Sequence, residues 1–235
     1  MKKKKNLRKI KKEGILIDDD SKKLLVFQYL SNKYKSGNLT CKSSYFALLS
    51  HARSATGRCC KNGSIDFIEK TGDWSGACMY LILIDHIGGR FRNKNKEIDS
   101  NLKDFGAALK SFTGLSKKKI EILRELRNSF LHKFNLYNFP EDKKFVCRLF
   151  SVNRGEEFIR LPMKNLEDSE KSLSKIEDGN KTCVSLKKLG DLVENMHKKL
   201  LSLLNSGDLI VVTENSDNLE DFLNANTICY EEKYF

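Results

Sequence analysis

Residues 73–89 read DWSGACMYLILIDHIGG, and the middle of this stretch decides what kind of core the chain builds. Ala77 to Ile84 are eight apolar residues in a row. A helix that is apolar all round is buried on every side. Asp73 is placed to cap such a helix, and Gly88-Gly89 is placed to stop it. The stretch therefore predicts the central helix of a bundle.

Working outward, apolar residues recur at spacings of three and four, the mark of amphipathic helices. They predict helices at 20–34 (Leu24, Leu25, Phe27, Leu30) and from an Asn38 cap through Tyr45, Leu48, Leu49 and Ala52. Others are predicted at 98–112, at 117–134 behind Ser116, and at 187–204 ahead of Ser206-Gly207. One region breaks the pattern. Residues 145–152 are rich in aromatic and β-branched types, and Asn153-Arg154-Gly155-Glu156 is a turn signal before 157–161. This predicts a β-hairpin, with a third short strand at 182–186. The expected fold is an all-α dominated bundle with a small β-hairpin insertion before the last long helix. Its parts are a disordered basic arm at 1–13, a helical domain at 14–208 with the insert at about 144–162, and an acidic tail at 209–235. That tail is expected to form a short edge helix or to pair loosely with basic surface.

The 235 residues carry 43 Lys plus Arg against 31 Asp plus Glu, a formal charge of +12. Eight of the cations lie in residues 1–12, with no acid among them, so the remainder is 35 against 31, or +4. An arm of like charges resists packing and can hold phosphates by counterion release; equally, it can be a solvated tail. No stretch is long and apolar enough to predict a membrane span or a secretory signal. The seven cysteines contain no Cys-x-x-Cys pair, and the four histidines do not cluster with them. Reduced cytoplasmic thiols and no metal or other cofactor are expected. There is no Gly-x-x-x-x-Gly-Lys loop and no Gly-x-Gly-x-x-Gly turn, which speaks against triphosphatases and dinucleotide enzymes.

The helix at 117–134 holds Arg127-Asn128-Ser129-Phe130-Leu131-His132. At about 100° per residue, Ile120, Leu123, Leu126, Phe130, Leu131 and Phe134 fall in one arc. Arg127 falls inside that arc, where a guanidinium requires a partner or a site. Asn128 and His132, four apart, share a different edge. Arg127 and His132 diverge by roughly 140° on a regular helix. They can serve one site if the helix bends or ends there, or if a second copy of the chain completes the pocket.

This segment resembles the signature of the HEPN superfamily, in which an Arg, commonly followed by Asn, precedes a His by four to six intervening residues. Arg127, Asn128 and His132 match it with four between. The resemblance implies an all-α bundle, a homodimer with the motif at its cleft, and metal-independent endoribonuclease activity in toxin–antitoxin or phage-defence systems. A non-catalytic RNA- or protein-binding module is the other outcome found in that family. Its implied catalytic site is Arg127, His132 and Asn128. Lys117, Lys118, Lys119, Arg124 and Lys133, on or near the same helix, are candidates to hold RNA phosphates; each taken singly reads equally as part of a solvated helix face. Imidazole titrates near neutral pH and can move the proton of the attacking 2′-hydroxyl. A guanidinium can offset charge growing on the phosphoryl oxygens. RNA, a second copy and an antitoxin or defence partner are the expected partners.

Other features read more plainly. Asp18-Asp19-Asp20 reads as capping charge, His51 as a surface or structural residue, and Trp74 as a packing anchor. Asp85-His86 is a candidate second site facing the same cleft. An Arg127 locked to a buried acid of its own chain would instead favour a structural or DNA-binding helical protein that uses only its basic arm.

Overall fold

The structure is a computed structural model and describes residues 14–31, 33–36, 39–61, 64–67, 73–96, 102–133, 137–138, 148–153, 155–162, 181–213 and 218–231. The basic arm lies outside the described residues. The chain opens with strand β1 (Gly14–Leu16) and helix α1 (Asp20–Ser31), then β2 (Lys33–Ser36), β3 (Leu39–Ser43) and α2 (Ser44–Ala55). It continues through β4 (Arg58–Lys61), β5 (Ser64–Phe67), α3 (Asp73–Arg90), β6 (Phe91–Asn93), α4 (Asp104–Phe112) and α5 (Lys117–Lys133). After β7 (Tyr137–Asn138), β8 (Arg148–Asn153), β9 (Ile159–Arg160) and β10 (Lys181–Ser185) come α6 (Leu186–Ser206), β11 (Leu209–Val212), α7 (Leu219–Asn224) and β12 (Thr227–Glu231).

This is a mixed α/β architecture, which corrects the expected all-α bundle. Seven helices are described together with sheets ordered β1-β11-β6, β12-β3-β2 and β7-β8-β10-β9, and a β4-β5 ribbon. The expected hairpin does not form. Strands β8 and β9 do reverse direction around the turn, but β10 lies between them, parallel to β8 and antiparallel to β9. Thr182, Cys183, Val184 and Ser185 of β10 are buried, as befits the strand flanked on both sides. In a second sheet, β11 is the central strand, antiparallel to both β1 and β6. Cys41 of β3 is disulfide-bonded, which corrects the expectation of reduced thiols throughout. Across the ladder its Cα partner on β12 is Cys229.

Helix α3 is the hub, packing on α2, α4, α5 and α6. Tyr80, Leu81, Leu83, Ile84 and Ile87 are buried, whereas Ile82 is among the exposed large apolar residues. The Gly88-Gly89 pair does not end α3, which runs on to Arg90. A Cβ on Gly88 would collide with the Asp104 carbonyl oxygen. The pair marks a place where α4 crosses against α3 backbone, and that packing overrides the poor helix propensity of glycine. Ser43 caps α2 through Phe46 N–H, so α2 begins later than the Asn38 reading places it. Gly207, with φ +74°, closes α6 in the left-handed conformation that glycine tolerates. Asp19 accepts from Lys22 N–H at the start of α1, a capping role for the acidic triplet. Among the described residues no helix is long and apolar enough to cross a membrane.

Candidate functional site

Helix α5 is held by its apolar face. Ile120, Ile122, Leu123 and Leu126 are buried against the core, and Phe130 stacks on Trp74 at the start of α3 with ring centroids 5.3 Å apart. On its other flank Glu125 accepts from Arg148 of β8 at 2.7 Å. Burial pushes the Glu125 carboxyl up from its ordinary value, against the opposing pull of Arg148. These contacts fix the rotation of α5 and so decide where Arg127 points.

Arg127 sits at the edge of the apolar arc and reaches α3. Its Nε donates to Asp85 Oδ2 at 2.8 Å, and its Nη2 donates to the same oxygen. Its Nη1 donates to Asn128 Oδ1 at 3.0 Å. The guanidinium is thereby braced in one plane by the two neighbouring side chains. Arg127 does pair with an acid of its own chain, as the structural reading requires. That acid is not buried, however, since Asp85 keeps 25% of its side-chain surface and Arg127 keeps 21%.

The pair lines a solvent-open cavity of about 440 Å³ between α3, α4 and α5. Asn128, Arg124, Lys103 and Asp104 complete its polar wall, and Gly106 leaves room in the α4 side. Three cations thus face two carboxylates. Lys117 lines an adjoining cavity that shares Lys103, Gly106 and Arg124 with the first. Lys118 and Lys119 are exposed and line neither. The backbone carries His132 and Lys133 in the last turn of α5, and their side chains lie outside the described residues. The helix stays regular from Arg127 to His132 and ends at Lys133. Arg127, Asn128 and Arg124 are thus brought together, and Lys117 stands next door.

Asp85 and His86 part company. Consecutive residues on a helix point about 100° apart, so Asp85 faces the cavity and His86 the core. The His86 Nε2 and the Tyr29 hydroxyl share a hydrogen bond at 2.8 Å. Burial, aided by the nearby Arg90 charge, pushes the His86 imidazole down to about 3. A second histidine, His197 of α6, is buried; it bonds Tyr45 through Nδ1 at 3.1 Å and is pushed down to about 4, first by burial and then by Arg53. Beside it Arg53 donates to both Glu194 oxygens at 2.7 Å, with Glu194 only 5% exposed. Sequence reading missed this polar core cluster. Its only signal was polar residues (Glu194, His197) on the apolar side of an amphipathic helix, next to Val193 and Met196.

Searches of the chain against family models, curated proteins and solved structures find no match, so the candidate site rests on its own geometry.

Proposed function

We propose that the Arg127 cavity binds a phosphodiester of RNA, and that the protein is a metal-independent endoribonuclease of a toxin–antitoxin or phage-defence system. The observation that carries this reading is the position of Arg127 and Asn128. They line an open cavity, whose wall sets three cations against two carboxylates, instead of vanishing into the core. The braced guanidinium would stabilise charge on the phosphoryl oxygens, and His132, in the same helix, would move the proton of the 2′-hydroxyl. The 140° offset between the two on a regular helix is met by a homodimer in which a second α5 completes the site. The cytoplasm is the compartment of this reading, where the Cys41 bond stands against a reducing thiol pool.

The Arg127–Asp85 ion pair favours a second reading, a non-catalytic module for RNA or a protein partner. A carboxylate on the guanidinium offsets the charge that transition-state stabilisation needs. One experiment separates the two. Purified protein is incubated with single-stranded RNA in EDTA, beside Arg127→Ala and His132→Ala. Cleavage leaving a 2′,3′-cyclic phosphate, lost on the order of 10²–10⁴-fold in each variant, supports the nuclease. RNA bound but intact in every sample supports the module. Cleavage that survives both substitutions, or that EDTA stops, sinks the nuclease proposal.

A further inference from the structure

The cavity beside the Arg127 site is of similar size, about 450 Å³, and shares part of its wall. Lys103, Gly106 and Arg124 belong to both walls. The floors and rims differ. Leu102, Leu115 and Ile120 give the second cavity an apolar floor, and Ile120 is 8% exposed. Lys110 and Lys117 join Lys103 and Arg124 on its rim against one acid, Glu121. Four cations oppose one carboxylate there, compared with three opposing two around Arg127. An anion drawn to this face is therefore drawn first to the second cavity. Each cavity lies within the range of about 300–1,000 Å³ that holds one small ligand.

An apolar floor beneath a cationic rim suits one class of ligand. A nucleobase offers a flat apolar face, and its sugar-phosphate offers negative charge. We propose that the second cavity is a nucleotide subsite, so that a single-stranded RNA lays two successive nucleotides across the face. One base rests on Leu102, Leu115 and Ile120. The linking phosphate crosses the shared wall at Lys103 and Arg124, and the next nucleotide enters the Arg127 cavity. This deepens the RNA reading above and rests on it. It also explains how an anion approaches Arg127 past Asp85 and Asp104: affinity comes from the neighbouring cavity.

The test reads binding separately from cleavage. The probe is a fluorescein-labelled 2′-O-methyl oligoribonucleotide, which lacks the attacking hydroxyl, followed by anisotropy across a salt series. The full chain is compared with Lys110→Glu/Lys117→Glu, both positions being exposed and lining the second cavity but not the first, and with Lys198→Glu/Lys199→Glu on α6. Net charge changes equally in the two variants. The first is expected to weaken binding at least tenfold and to lower the salt slope by about 0.7 per lost phosphate contact. The second is expected to weaken it less than threefold. Equal losses in the two variants overturn the subsite, and the nuclease reading stands if the unmodified RNA is still cut. Selective loss in a protein that cuts no RNA keeps the subsite and removes the nuclease. No binding by the wild-type chain removes both.

Discussion

Lowering the pH from 7 to 5 is expected to remove about 3–4 kcal/mol of stability through His86 and His197. Both imidazoles are held neutral in the fold, at about 3 and about 4 against an ordinary 6.5. Below 6.5 the unfolded chain takes up two protons that the native chain refuses. Stability from these groups is therefore complete above 6.5 and is lost as pH falls toward the folded values. At pH 5 each unfolded imidazole is almost fully charged while each native one is almost fully neutral, a difference of about 2 kcal/mol per residue. The facing groups are Tyr29, Tyr45 and Arg90 around His86, and Tyr45, Arg53, Glu194 and Lys198 around His197. Glu125, raised by burial, opposes the trend only as the carboxylate range is approached. Urea titrations followed by circular dichroism at pH 7, 6 and 5 measure the loss. His86→Gln should cost stability at pH 7 through the Tyr29 bond, yet flatten the pH dependence by about half. A stability that is level from pH 7 to 5, or an unchanged slope in His86→Gln, refutes the neutral imidazoles.

Two further outcomes rest on packing. Gly88→Ala should destabilise by about 1–3 kcal/mol or more, because the new methyl must push the Asp104 carbonyl and the start of α4 away. As Lys103, Asp104 and Gly106 wall the Arg127 cavity, the variant should also lose RNA affinity; a Tm unchanged by differential scanning fluorimetry contradicts the close crossing. Arg53→Met should cost about 3–5 kcal/mol by leaving Glu194 charged and buried without its partner, and Arg53→Met/Glu194→Met should recover much of it. Urea midpoints of the two variants check this, and equal midpoints speak against the pair.

What could be read from the chain follows the range of the forces involved. Ala77–Ile84 and the Ser206-Gly207 stop are local signals, and α3 and α6 lie where they place them. Gly88-Gly89 is a local signal with two meanings, and only the α3–α4 crossing tells a close approach from a stop. Strands β1 and β6 have three residues each, too few to show alternation, and owe their existence to β11. The turn at 153–156 correctly reverses the chain, but no nearby residue announces that 181–185 will enter between its arms. Arg127 was legible as a cation in need of a partner. Asp85 stands 42 residues away, and no local pattern ties the two beyond the expectation that both face one cleft.

The central place of β11 sets a timetable for synthesis. The Gly14–Val212 pairing spans 198 positions, 212 less 14, so β1 leaves the ribosome long before its only described sheet neighbour exists. At about 5–20 residues per second that interval is roughly 10–40 s. Strand β6 waits on the same neighbour. During this time α3 and α4 can meet, since they are close in sequence, while β1 and β6 stay without the strand that pairs them. Translation that halts at residue 208 thus yields a chain that holds α1 to α6 but no strand to join β1 to β6.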